Sequence, residues 1–211
     1  LNGLCVLTCG AAMFDPKMLK DLMDKGFFIA QMYGLTETCG DGAWNSSQEE
    51  KHLTSVGHVD NSCEYKLDDG ELCMRGTPIM LGYYKDPEAT AEVIDKDGWF
   101  HTGDIARLEE DSYMYLTGRK KNLIILDSGE NISPEELEDL VEKCPAAKEC
   151  IVKEMGQKIG VVVYCDEDKQ PAVRDFITEA NRTLPLYKRM SAVEFRTEPL
   201  PRNGAGKLVR Q

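Results

Sequence analysis

Two apolar runs with a helix-sized segment between them open the sequence, and they constrain the fold more than any other feature. Leu4-Cys5-Val6-Leu7 has the length and continuity of a buried strand. It runs into Cys9-Gly10-Ala11-Ala12, residues small enough for a ligand to approach the backbone closely. Asp15-Pro16 has the form of a helix start, with the carboxylate as N-cap and proline in the first turn. Met18, Leu19 and Leu22 give this helix an apolar face, and Gly26 ends it. Phe27 to Met32 is the next strand. In open α/β sheets ligands bind beyond the C-terminal ends of strands, and Tyr33-Gly34-Leu35-Thr36-Glu37 falls at such an end. A hydroxyl such as Thr36 can donate to a phosphate, and a carboxylate such as Glu37 can hold Mg²⁺. The same residues also suit a plain polar turn.

From Ser55 to Tyr84 the texture becomes β-rich. Glu64 to Leu67, Glu71 to Arg75 and Met80 to Tyr84 are strand candidates, with Asp68-Asp69-Gly70 a hairpin signal. Asp86-Pro87 starts a short helix and Asp97-Gly98 makes a turn. In Trp99-Phe100-His101-Thr102-Gly103-Asp104 the carboxylate follows a tight glycine turn, where it can accept two hydrogen bonds from a ribose diol. His101 has no nucleophile paired with it and is not taken as a general base. Tyr113 to Thr117 is a strand. Gly118-Arg119-Lys120-Lys121 then places three cations before the strand Leu123 to Leu126, and the domain boundary is expected here.

The remainder reads strand, helix, strand, strand, helix, strand, a small α+β domain. Ser133-Pro134-Glu135-Glu136 has the spacing of a capping box. Leu137, Leu140, Val141 and Cys144 then lie on one face of a helix. Glu149 to Met155 and Ile159 to Cys165 are strands. Val173, Phe176, Ile177, Ala180 and Leu184 mark a second amphipathic helix, and Ala192 to Arg196 a last strand. The closing loop, Pro201-Arg202-Asn203-Gly204-Ala205-Gly206-Lys207, holds one cation in a Gly-rich setting. It is not a Walker loop, because Pro201 and Leu208 stand where that motif needs Gly and Ser/Thr.

Composition narrows the function. The formal charge is −12, which argues against a general nucleic-acid or anionic-membrane surface. No apolar run approaches the roughly 20 residues of a membrane span. The eight cysteines form no zinc or disulfide framework and read as reduced thiols of a cytoplasmic protein. The sequence lacks an initiating Met and begins inside an apparent strand, as expected of a piece of a longer protein.

Tyr33-Gly-Leu-Thr-Glu37, Gly70-Glu71-Leu72, Trp99-Phe-His-Thr-Gly-Asp104, Gly118-Arg-Lys-Lys121 and the late Gly206-Lys207, in that order, resemble the adenylate-forming superfamily: acyl-CoA synthetases, luciferases and the adenylation domains of peptide synthetases. Gly118 to Ile124, Ser128 to Leu137 and Leu184-Pro-Leu-Tyr-Lys-Arg189 are most similar to bacterial long-chain fatty acid–CoA ligases. The resemblance implies an α/β and α+β chain. Residues 1–117 would be the C-terminal part of a large AMP-binding domain, a partial sheet plus a small β-barrel subdomain. Residues 118–211 would be a small mobile lid. Strand edges left open can pair with a second copy to give a homodimer.

The resemblance also implies a ligase acting in two steps on ATP, a fatty acid and coenzyme A, by way of acyl-AMP. Gly10, Ala11 and Ala12 would flank adenine and ribose, with Tyr33 stacked on the adenine beside Gly34. Thr36 would contact phosphate, Glu37 would hold Mg²⁺, Asp104 would bind the ribose hydroxyls, and Arg119 would reach ribose and phosphate. Lys121 would be the hinge. Lys207 would act in the first step, and Ser128-Gly129-Glu130 would line the coenzyme A tunnel in the second. The phosphate loop and most of the acyl pocket would lie before Leu1, so this chain alone is expected to be inactive. The same residues would serve an enzyme that loads a carrier protein. A non-catalytic AMP-binding module is the reading from another class.

Overall fold

A computed structural model describes residues 6–10, 14–109, 111–126, 129–156, 158–204 and 208–209. The chain divides into two compact units, 1–117 and 118–211.

The first unit begins with β1 (Val6–Gly10), α1 (Pro16–Asp24) and β2 (Phe28–Gly34). The Asp15 carboxylate accepts from the Lys17 amide at 2.8 Å, so the cap works as its sequence implies. Leu19 is 1% exposed and packs with Ile29 and Leu53, whereas Met18 points to solvent. β1 and β2 pair in parallel, Val6 opposite Phe28 and Gly10 opposite Met32. β2 then pairs antiparallel with β3 (Gly42–Asn45), and β3 with β4 (His58–Val59).

A four-stranded sheet follows: β5 (Cys63–Asp68), β6 (Glu71–Gly76), β7 (Phe100–Leu108) and β8 (Met114–Arg119), in that order, with α2 (Pro87–Val93) between β6 and β7. The β5–β6 turn is Asp69-Gly70, both at positive φ (48° and 81°), which suits a tight two-residue hairpin. Leu72, Met74 and Met114 are fully buried and pack with Tyr33, Ala43 and Ala106.

The second unit holds β9 (Ile124–Ile125), β10 (Asn131–Ile132), α3 (Pro134–Glu142), β11 (Glu149–Glu154), β12 (Ile159–Tyr164), α4 (Gln170–Thr183) and β13 (Ala192–Arg196). β9 and β10 form a small antiparallel ladder. β11, β12 and β13 form a sheet, the first pair antiparallel and the second parallel. Leu137 and Val141 of α3, and Val173 and Ile177 of α4, pack on Val152, Val161 and Val163 of that sheet. Helical and strand periodicities thus converge on one core.

Four expectations need correction. No sheet among the described residues closes into a barrel; β5 to β8 remain an open four-stranded sheet. Met80 to Tyr84 is not a strand. Leu81 and Tyr84 face solvent, Gly82 has φ 145°, and the Met80 amide bonds the Glu37 carbonyl at 2.7 Å instead of a sheet partner. Asp104 does not follow a tight glycine turn, since Gly103 and Asp104 both lie within β7. Ser133 does start α3, but no side-chain capping bond forms; its hydroxyl donates to Glu135 at 2.9 Å, while Glu136 pairs with Lys188.

Candidate nucleotide site

β1 and β2 end at the same edge of their sheet, which brings Gly10 beside the start of Tyr33-Gly34. A Cβ on Gly34 would lie 2.3 Å from the Gly40 carbonyl oxygen, so this position admits no side chain unless the backbone moves. The chain folds back so tightly because Thr38 pins it. Its fully buried hydroxyl accepts from the Leu35 amide at 3.0 Å and also meets the Leu35 and Asp41 carbonyls. Thr36 to Thr38 form a 3₁₀ turn that leaves Thr36 exposed and Glu37 half-buried. Glu37 is tied on two sides, by the Met80 amide at its carbonyl and by the Tyr83 hydroxyl, which donates to Oε1 at 2.8 Å. That bond holds the Tyr83 phenol above its ordinary pKa.

Asp104 arrives from β7. Its register against β6 is irregular: the two steps from Glu71 to Cys73 lie opposite the four from His101 to Ile105. β7 therefore bulges, with Gly103 at φ 71°. Inside the bulge, the Thr102 hydroxyl donates to the Leu72 carbonyl at 2.8 Å and accepts from the Asp104 amide at 3.1 Å. Asp104 is 3% exposed, and the Tyr33 hydroxyl donates to its Oδ2 at 2.6 Å. Asp104 is thus a buried, hydrogen-bonded carboxylate and not a solvated one. On the opposite face, Glu71 takes the Gly103 amide on Oε1 at 3.0 Å and lies 3.0 Å from His101 Nδ1 through Oε2.

In the second unit, Arg119 is half-buried at the end of β8, and Lys121 is exposed in a 3₁₀ turn, Lys120–Asn122. A Cβ on Gly118 would meet Ser133 Oγ at 2.2 Å, and Asn122 donates to Glu135 at 2.6 Å, so α3 braces this stretch from both ends. The Gly129 amide bonds the Leu126 carbonyl at 2.8 Å, and the Leu126 amide bonds the Glu130 carbonyl at 3.1 Å. The base of the last loop is also held. Arg202 and Leu208 pair as a β-bridge, and Leu200 and Leu208 pack with Ile151 and Val162. Glu149 accepts from the Leu200 amide at 2.8 Å and from Arg202 at 2.6 Å. The Arg202 guanidinium, aided by that amide, keeps the Glu149 carboxyl below its ordinary range in spite of burial.

The structure thus gathers Tyr33 and Asp104 by direct contact, with Gly34, Thr36 and Glu37 on the adjoining turn. Arg119, Lys121, Gly129 and Glu130 belong to the other unit. Ala11, Ala12, Ser128 and Lys207 lie outside the described residues. Thr38, Thr102 and Tyr83 were not singled out from sequence, since only the fold shows what their hydroxyls reach. The seven described cysteines are all free. No helix of the described residues is long and apolar enough to cross a membrane.

The AMP-binding enzyme family model matches residues 1–84. A long-chain-fatty-acid–CoA ligase of Salmonella typhimurium is 38% identical, over 88% of this chain and 35% of the ligase. A feruloyl-CoA synthase of Amycolatopsis is 32% identical, over 100% of this chain and 46% of the synthase. Among solved structures, the o-succinylbenzoate coenzyme A synthetase of Bacillus subtilis in complex with AMP superposes with a TM-score of 0.81 at 27% identity, covering 96% of this chain and 44% of that one. The same enzyme in complex with ATP and magnesium ion gives 0.78. The chain therefore spans less than half the length of these relatives. Its motifs, its fold and these likenesses agree: residues 1–84 match the AMP-binding enzyme family, and the chain as a whole is similar to part of the length of CoA ligases.

Proposed function

We propose that this chain is the C-terminal part of an AMP-forming acid–thiol ligase, with residues 1–117 completing a nucleotide-binding domain and residues 118–211 serving as its mobile lid. The enzyme activates a carboxylic acid, a long-chain fatty acid by its likeness to long-chain-fatty-acid–CoA ligases, to acyl-AMP and pyrophosphate. It then transfers the acyl group to coenzyme A and releases AMP. The observation that carries this reading is the Tyr33–Asp104 bond, which joins two remote motifs at the end of a parallel strand pair. The naming of relatives as CoA ligases supports it.

Asp104 accepts the ribose hydroxyls, with Tyr33 beside the base and Gly10, Ala11 and Ala12 lining the approach. Thr36 donates to phosphate, and Arg119 reaches ribose and phosphate from the second unit. Glu37 fits Mg²⁺: a half-buried carboxylate with one oxygen bonded by Tyr83 is the hard, singly tethered donor such an ion takes together with phosphates and water. When bound, Mg²⁺ neutralises phosphate charge. Lys207 stabilises the charge that develops as the carboxylate attacks the α-phosphate. Lys121 is the pivot on which the lid turns between half-reactions, and Ser128-Gly129-Glu130 face the pantetheine in the second. The free cysteines support a reducing, cytoplasmic setting.

The test is AMP release by the intact protein with carboxylic acids from acetate to palmitate, with and without coenzyme A. Release that depends on coenzyme A and peaks with long chains is expected. Acyl-AMP that forms but never discharges onto coenzyme A would point to a carrier-protein acceptor. No turnover with any acid would overturn the reading.

A further inference from the structure

Gly70-Glu71-Leu72 is one of the five ordered motifs on which the resemblance rests, yet no step above uses Glu71. Its placement is unusual for a carboxylate. Glu71 is 3% exposed, on the face of β6 opposite Leu72 and Met74. Both its oxygens are engaged, and both on β7: Oε1 receives the Gly103 amide at 3.0 Å, and Oε2 lies 3.0 Å from His101 Nδ1. These partners stand within the bulged stretch of β7, where sheet pairing to β6 is interrupted. A bulge leaves backbone groups without their ladder partner, and a buried amide left that way is costly. Glu71 supplies the acceptor that the ladder omits.

The next residue after Gly103 is Asp104. Its amide is held by Thr102 on the inner side, while the Gly103 amide is held by Glu71 on the outer side. We propose that Glu71 is a positioning residue of the nucleotide site: its carboxylate, spanning His101 and the Gly103 amide, sets the β7 bulge that aims Asp104 at the ribose. This inference rests on the reading of Asp104 as the ribose acceptor. It predicts an effect of Glu71 on sugar recognition without any contact to nucleotide.

The experiment compares kcat/KM for ATP and for 2′-deoxy-ATP in the intact protein. A charge-assisted hydrogen bond to the sugar makes ATP the better substrate by about 10- to 100-fold. Asp104→Asn tests the ribose reading and is expected to remove most of that preference; a preference it leaves intact overturns both the ribose reading and this proposal. Glu71→Asp shortens the side chain by one methylene, so that it no longer spans both partners, and is expected to bring the preference below about threefold. Glu71→Gln keeps the reach and an acceptor for the Gly103 amide, and is expected to retain it. A purely structural role would lower the rates with both nucleotides alike and leave the ratio unchanged in Glu71→Asp. That result, with Asp104→Asn behaving as expected, would overturn the proposal and spare the ribose reading. Equal loss in Glu71→Gln and Glu71→Asp would also overturn it. Should Glu71→Asp not fold, His101→Ala at a partly exposed position releases the other end of the carboxylate. It is expected to lower the preference at least threefold, and an unchanged ratio overturns the proposal.

Discussion

The Tyr33 hydroxyl donates to Asp104 Oδ2 at 2.6 Å, although the two residues are 71 apart in sequence. Both are buried, so the bond sits where water cannot replace it. Tyr33→Phe removes the donor and leaves the carboxylate with one partner fewer. Bonds to charged groups of this kind contribute about 1.5–3 kcal/mol, and a stability loss of that size is expected in urea denaturation. The KM for ATP should rise with it.

Gly34→Ala should be worse tolerated than its size implies. The new Cβ would fall 2.3 Å from the Gly40 carbonyl oxygen and 2.5 Å from its carbon, and these are backbone atoms that cannot swing aside. A loss of about 1–3 kcal/mol is expected, together with weaker ATP binding by calorimetry. A variant that binds ATP as tightly as the wild type would show the turn to be dispensable.

Leu137→Ala empties a fully buried position between α3 and its sheet. The expected cost is about 2–5 kcal/mol, read from the urea midpoint. Leu186→Ala, at a largely exposed position, should change it little.

Glu149 has a pH signature. Its carboxyl lies below its ordinary value of 4.5, chiefly through the Arg202 bond. A depressed carboxylate pKa gives stability that is fully present above the ordinary value and is lost as pH falls through the depressed one. Glu149→Gln should therefore flatten the acid limb of stability below about pH 4.5, with a cost near 1 kcal/mol at neutral pH. An acid limb identical to that of the wild type would remove the clamp on the last loop.

The two half-reactions separate the lysines. Lys207→Ala in the intact protein should slow acyl-AMP formation about 10²- to 10³-fold while sparing thioester formation from supplied acyl-AMP. Lys121→Pro should do the reverse, slowing the second step more than the first, because proline restrains the pivot without excluding a 3₁₀ turn. Equal effects on both steps would refute either role.

What the sequence made legible was whatever has a local cause. Asp15-Pro16 and the Asp69-Gly70 hairpin carry their geometry in a few side chains, and both formed as read. The stripes of α3 and α4 likewise chose their buried faces, Leu137 with Val141 and Val173 with Ile177. The misreadings were of non-local matters. Gly103 looked like a turn because glycine permits one, but pairing to β6 made it a bulge within a strand. Met80 to Tyr84 has a strand's composition, yet its backbone is bonded to Glu37. Barrel closure depends on how strands meet around a ring, which no single strand encodes. Residue types at the site were visible from sequence, while the partners of Tyr33, Glu71 and Thr102 needed the fold.

The β7 bulge also bears on which changes of length this chain can accept. Phe100, Thr102, Asp104 and Ala106 point inward while His101, Gly103 and Ile105 alternate outward, and the bulge adds an even number of residues, so inward and outward keep their phase on both sides of it. Deleting or inserting a single residue between His101 and Ile105 would break that phase, turning either Asp104 or the Phe100–Thr102 side to the wrong face. Side-chain exchanges at Ile105 are a matter of degree. Indels here are not, and libraries of variants should show this stretch as a gap-free block even where its outward residues vary.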